Sequence, residues 1–393
     1  MRVRAIIITL SIIFCCNQLK AQDSLSVDFI DQNTYQLYLN GKWDQLINMG
    51  NKAIERGIDF SYLRLRLGYA AIQKKNYSEA LKHYQHILNK DEYNQTARYY
   101  VWYCREFLNQ SDAAIYNARF FSKESLASEK LSKYKIKSVG IESSYKTTNN
   151  SYRGNANYYR INLSAQLGFS VTMSQSVIGF NQMINEKFLT SIQHNDSIKI
   201  NQKEYYNLTS VNIDHHLQLK ASYHYLYTPF NNVTYHNHLG MIGVKYLGDY
   251  LNVQGSIVLG KMTDTSFRQY EVQADYYPMG NLNLYTSTNL SFREWSGDHQ
   301  INLKQIVGIK LNNKLWVEGN VTIGKFSNRV ENDGLYVYNA IDPNLFKGGI
   351  TFYYAPNKHL QIQLGTISEK RELFYTNYIF NQQSINGGIT WKF

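Results

Sequence analysis

From Ile136 to the last residue, Phe393, apolar side chains recur at every second position, and this alternation constrains the fold more than any other feature of the chain. Tyr159, Ile161, Leu163, Ala165, Leu167 and Phe169 alternate with Tyr158, Arg160, Asn162, Ser164, Gln166 and Gly168. An extended backbone sends successive side chains to opposite faces, so each run carries one apolar and one polar face. The pattern recurs at 217–227, 251–259, 270–276, 282–292, 301–311, 315–323 and 360–364. Short connections fall near 169–173, 214–216, 247–249, 277–281, 312–314 and 356–357. Between them lie others, several of them longer, at 147–154, 187–203, 229–233, 262–267, 293–299, 327–344 and 370–383. Short turns at one end and longer loops at the other are the asymmetry of a membrane barrel. The count is about 14 strands, with 12 as the alternative because the period blurs over 171–215. An even count leaves both barrel ends on the short-turn, periplasmic side.

The N-terminus reads as an export signal. Arg2 and Arg4 precede an apolar run from Ala5 to Cys16, and Leu19-Lys20-Ala21 offers a small residue at a cut site. The run is about 12 residues long where a helical span needs about 20, and Phe14 stands where a lipoprotein needs a small residue before Cys15. Mean hydropathy of −0.43 is compatible with a barrel, because every second residue faces a polar lumen. The 34 Tyr against four Pro suit many strands. The last stretch, SINGGITWKF, puts Ile385, Gly387, Ile389, Trp391 and Phe393 on one face. It resembles the final strand of bacterial outer-membrane barrels, in which a terminal Phe is read by the barrel-assembly machinery. The resemblance makes Ile385, Ile389, Trp391 and Phe393 the expected assembly strand and outer-membrane lipid its neighbour.

Residues 22–130 show helical spacing and a self-match at an offset of 34 residues. Trp43, Tyr77 and Ser111 align, as do Leu46, Ala80 and Ala114, and Ile47, Leu81 and Ile115. Leu67-Gly68 is followed by Ala80 and Tyr84 at tetratricopeptide-like spacing. The segment resembles a tetratricopeptide α-solenoid, whose concave groove would receive a periplasmic protein or a polysaccharide. Tyr69, Lys74, Tyr99, Tyr103 and Arg105 are the candidate groove residues, with packing as the competing role. Cys104, the one of three Cys outside the leader, reads as a small core residue.

An N-terminal tetratricopeptide-like segment before a barrel, the run Gln269-Tyr270-Glu271-Val272-Gln273-Ala274-Asp275-Tyr276-Tyr277-Pro278, and Gly324-Lys325-Phe326 together resemble the YaiO-like outer-membrane barrel family. Membership implies fold and location and no established substrate. Three parts are thus expected: a leader over 1–21, a periplasmic helical domain over 22–130 and an outer-membrane barrel over 131–393. With the apolar face toward lipid, the lumen receives Glu142, Arg160, Lys220, His224, Glu271, Asp275, Lys304, Lys310 and Glu318, along with Gln361 and Gln363. These charges of mixed sign suit either structural latches or a transverse field for passing solutes.

Other chemistries find little support. The net charge of +11 is spread without a polybasic run, which argues against nucleic acid. His236 and His238 share a strand face and His215-His216 adjoin a turn, but no Cys or carboxylate stands at ligand spacing, so no metal or cofactor site is assigned. Ser222 lies near His224 without a Gly-x-Ser-x-Gly elbow, so no catalytic residue is assigned. Two readings remain. One is a pore or export channel for a polymer or small solutes. The other is a closed barrel anchor whose helices recruit periplasmic partners.

Overall fold

The computed structural model describes residues 26–185, 197–230, 233–340, 342–374 and 376–393. The leader expected at 1–21 and residues 187–196 of the connection expected at 187–203 lie outside the described residues. The chain forms two compact units, divided between Lys74 and Lys75.

Among the described residues the first unit holds three helices, α1 (Val27–Leu39), α2 (Trp43–Glu55) and α3 (Ser61–Gln73). Ser26 caps α1 by accepting the Phe29 N–H. Ile30, Leu46, Ala53, Leu63, Leu67 and Ala70 form the core. Gly50 permits the close crossing of α2 and α3, since a Cβ there would sit 2.7 Å from Leu67 Cδ2. The second unit opens with α4 (Tyr77–Lys90), α5 (Gln95–Phe107), α6 (Ser111–Ala118) and α7 (Lys123–Ser128). Trp43, Tyr77 and Ser111, which align at the 34-residue offset, are the first residues of α2, α4 and α6.

The rest of the second unit is a closed antiparallel barrel. Its strands are β1 (Tyr134–Thr148), β2 (Arg153–Leu167), β3 (Val171–Asn185), β4 (Ser197–Asn212), β5 (Leu217–Phe230), β6 (Val233–Leu247) and β7 (Leu251–Met262), then β8 (Thr265–Tyr276), β9 (Leu284–Trp295), β10 (Asp298–Asn312) and β11 (Leu315–Phe326). A two-stranded hairpin of β12 (Val330–Glu331) and β13 (Tyr336–Val337) interrupts the series, which ends with β14 (Asn344–Tyr354), β15 (Leu360–Glu372) and β16 (Ile379–Lys392). Each barrel strand pairs with its chain neighbours, β11 with β14 across the hairpin, and β16 pairs with β1 to close a ring of 14. Closure puts Ile389 opposite Ile141 and Ile385 opposite Tyr145, so each barrel strand has a neighbour on both sides.

Period two decides which residues meet lipid. Ile161, Ile242, Val272, Leu290 and Ile301 project outward, with Ile242 72% exposed. Transferring one such side chain out of water is favourable by about 1.5–3 kcal/mol, so a continuous belt of them requires a bilayer. Outward aromatics border the belt: Tyr246, Tyr276, Tyr354 and Trp391 at the short-turn end, and Tyr145, Tyr159, Tyr205 and Tyr223 farther along the strands. His236 and His238 belong to that outer surface, bonded through Nδ1 to the Tyr225 and Tyr223 hydroxyls at 2.8 Å each.

Two expectations change. The connections expected at 262–267 and 293–299 are two-residue turns, Thr263-Asp264 and Ser296-Gly297, all four at positive φ. That left-handed pair matches the strand twist, so the strands run farther than period two shows. Second, the inner wall is not polar throughout. Leu226, Leu239, Met241, Val258, Met262 and Phe267 face inward and pack with Val330 of the hairpin. Strands apolar on both faces, as over 239–242, occur where the lumen is filled by chain.

Candidate functional site in the filled lumen

The described residues of the 327–343 connection fold back into the bore. Asn328, Asn332, Asp333 and Gly334 take positive φ, conformations that Asn, Asp and Gly tolerate best, and they turn β12 back onto β13. The wall then grips the hairpin from many sides. Glu331 lies 2.8 Å from Lys304 and 3.5 Å from both Lys347 and Arg329. Asp333 accepts from Lys220 and Gln254, each at 2.7 Å. The Gln269 side chain bonds both the N–H and the carbonyl of Val330, and the Tyr336 hydroxyl donates to Glu142. His224 meets the Gly334 carbonyl at 2.7 Å and the Glu204 carboxylate at 2.8 Å. Gly334 is itself required: a Cβ there would lie 2.6 Å from Ser222 Oγ. Burial by itself would raise the pKa of the Glu331 carboxyl, but Lys304, Lys347 and Arg329 hold it well below the usual range.

At the short-turn end, helices of the same unit cover the mouth. The Ser78 hydroxyl donates to the Asp249 carbonyl at 2.6 Å, and the Ser78 N–H to the Gly280 carbonyl at 3.1 Å. Gln110 donates to the Gly248 carbonyl and to Asn252, and Tyr116 to the Ile213 carbonyl. Asp112 reaches Lys137 of β1 at 2.6 Å, Thr172 of β3 at 2.9 Å and Gln218 of β5 at 3.3 Å. Burial opposes ionisation of Asp112, yet Lys137 and Thr172 pull its pKa below the ordinary aspartate value. Arg105 is wholly buried, donates to Gln110 at 2.6 Å and has its pKa pushed down to about 10 by burial, with Asp249 opposing.

Two spaces remain. The outer one, about 1210 Å³, is bounded by 149–153, by strands on the β14–β16–β1–β4 side and by the hairpin; the inner one, about 800 Å³, lies against α5 and α6. Both are walled in part by Ile306 and Glu318. Glu318 accepts from the Tyr285 and Tyr353 hydroxyls on either side, the second at 2.9 Å.

Glu142 pairs with Arg160 and Asp275 with Lys245, while Lys220 and Lys304 hold the hairpin. Glu271 is hydrogen-bonded by Gln269, and Lys310 lies over the Trp316 ring at 5.0 Å. The groove expectation needs correction for Arg105, which is sealed within the packing, bonded to Gln110 and facing the charge of Asp249 from a turn distant in the chain. Tyr69 packs edge-on against Tyr38 and Trp43, and Tyr99 and Tyr103 lie within an aromatic cluster with Phe121, Tyr77 and Phe107. Ser222 and His224 form no dyad, since both imidazole nitrogens are engaged elsewhere. Period two alone would have found Glu204, Lys245, Tyr285 and Tyr353; Glu331 and Asp333 sit in a connection where parity carries no information. Among the described residues no cluster of His, Cys, Asp or Glu could hold a metal ion.

No family model matches the chain, and no curated protein is similar to it. Several solved barrel structures are similar in outline. A Pseudomonas aeruginosa FadL homologue is 9% identical, with 72% of this chain and 92% of that one covered and a TM-score of 0.47. Omp33 of Acinetobacter baumannii is 8% identical, covering 66% and 99%, TM-score 0.38. A bacterial polysaccharide outer membrane secretin is 11% identical, covering 66% and 98%, TM-score 0.42.

Proposed function

We propose that this chain is a gated outer-membrane channel in its closed state, a non-enzymatic barrel whose 327–343 connection is the plug and whose helices shield the periplasmic mouth. The observation that carries the reading is the pair of cavities that share the Ile306 and Glu318 wall, with a plug held largely by side-chain hydrogen bonds and ion pairs. Polar contacts of this kind exchange for water at small net cost, whereas a lumen meant only as a strut would be served by continuous apolar packing. The even strand count and the expected leader support a periplasmic position for residues 22–130, read as a tetratricopeptide-like scaffold that guides cargo or docks a partner. In the YaiO-like stretch, Gln269 grips the plug while the turn after Pro278 receives α4, which supports mechanical coupling between the helices and the gate. The anchor reading is favoured by one observation, the insertion of Asp112 among three strands.

Planar-bilayer conductance separates the two. The intact protein is expected to be silent or to open rarely, and replacement of 328–342 by a short Gly-Ser linker is expected to give stable steps. A linker variant that folds and stays silent would exclude the channel and leave the anchor.

A further inference from the structure

The outer cavity is bordered by charges that already neutralise one another: Glu142 with Arg160, Arg153 with Asp342, Lys146 with Glu369, Lys304 with Glu331. Four more charged groups on the wall are engaged as well, Glu204 by His224, Glu318 by two tyrosine hydroxyls, Lys347 by Glu331 and Arg371 by Gln382 and the Asp342 carbonyl, and the other lining residues are neutral. One register row crosses six adjacent strands, with Thr351 opposite Gly365, Gly365 opposite Asn386, Asn386 opposite Ser144, Ser144 opposite Tyr158 and Tyr158 opposite Phe180. At its centre Gly365 keeps the wall flat. A Cβ there would press on Thr351 Oγ1 at 2.8 Å and Asn386 Nδ2 at 2.9 Å.

Three polar atoms on this wall are buried and meet no protein partner: Asn386 Oδ1, the Tyr158 hydroxyl and Nδ2 of Asn150, a residue only 4% exposed. Buried amides and hydroxyls are normally hydrogen-bonded, so their convergence on one cavity defines what suits it. A charged ligand would have to compete with the ion pairs and hydrogen bonds that already hold these charges. A hydrocarbon would leave the three atoms without a hydrogen bond. A sugar satisfies both kinds of surface, its hydroxyls meeting amide and phenol while its C–H face lies on the Tyr158 and Phe180 rings. At about 1210 Å³ the space exceeds the roughly 300–1,000 Å³ of ordinary small-molecule sites, which leaves room for several sugar units.

We propose that this wall, from β14 through β16 and β1 to β3, binds an uncharged oligosaccharide; the proposal rests on the channel reading of the same lumen and names its substrate class. The test is titration calorimetry on the full chain in lauryldimethylamine oxide, a detergent without a sugar headgroup. The probes are maltohexaose, cellohexaose and chitohexaose, with an oligogalacturonate and toluene as charged and apolar contrasts. At least one neutral hexasaccharide is expected to bind with Kd below about 1 mM. Asn386→Leu and Tyr158→Phe are each expected to weaken it about fivefold, the effect of one hydrogen bond. Folding of each variant is verified by heat-modifiable gel mobility, and Asn150→Ala replaces any variant that fails. Three results would overturn the site: no neutral hexasaccharide bound at its solubility limit, tighter binding of oligogalacturonate or toluene, or sugar affinity unmoved by the folded variants. Sugar binding by a protein whose linker variant never conducts would remove the channel and keep the site, and conduction without sugar binding would do the reverse.

Discussion

Glu331 and Asp112 illustrate how single carboxylates are used at the two ends of this barrel. Glu331 is buried among Lys304, Lys347 and Arg329, and removal of one partner from a buried charge set typically costs about 3–5 kcal/mol because the others are left uncompensated. Glu331→Gln is therefore expected to loosen the hairpin by roughly 3 kcal/mol, read as faster amide hydrogen exchange at 330–337 with the barrel strands unchanged. Asp112 has a pKa below its ordinary value when folded. A depressed carboxylate stabilises the folded state above its unfolded pKa, near 3.9, and loses that contribution as pH falls through the folded value. Exchange in α6, taken relative to the intrinsic amide rate at each pH, is thus expected to be flat from pH 7 to 5 and to rise below about pH 4, while Asp112→Asn is loosened throughout and shows no such rise. Burial raises the pKa of neighbouring Glu106 and Asp249, so the difference between wild type and variant isolates the Asp112 effect. At Gly280, φ is +62° and a Cβ would sit 2.0 Å from Asn76 Oδ1. Gly280→Ala is expected to lift the start of α4 from its turn, seen as enhanced protease cleavage near Lys75.

Among the elements, the plug and the closing strand were legible to different degrees. In β16, Ile385, Ile389 and Trp391 lie on the outward face, 45–65% exposed, and Phe393 follows the strand at the border of the inner space. Its alternation has a single physical cause, one face in lipid and the other in the lumen. Phe393→Ala is expected to lower the yield of assembled barrel in the outer membrane severalfold, measured by heat-modifiable mobility, while protein refolded in detergent is unaffected. The plug was visible only as a long connection. Its hairpin has two residues per strand, too few for a period to register, and its stability comes from strands distant in sequence. The inward apolar run at Leu239 and Met241 was the one trace of it, because a strand apolar on both faces must bury both.

At the scale of the molecule, the division between Lys74 and Lys75 falls inside the middle tetratricopeptide-like unit, yet each compact unit has its own buried residues. A chain beginning at Lys75 retains the α4 cap Asn76 and every barrel strand, and is expected to refold to the same heat-modifiable barrel. Unfolded, slow-migrating protein only would show that the first unit is needed. What the sequence determined by itself was the fold class: alternation sets which residues face lipid, and the rule that every backbone polar group in a membrane must be paired turns 14 alternating runs into a closed ring. Inward parity nominated Glu142, Arg160, Lys220, His224, Glu271, Asp275, Lys304, Lys310 and Glu318 for the lumen. Only the tertiary structure decided with what those residues pair, that Arg105 is sealed rather than offered to a partner, and that the bore is filled. Those outcomes depend on a 17-residue connection and a helix terminus meeting strands far away in the chain, and a local periodicity carries no record of contacts that only closure of the ring creates.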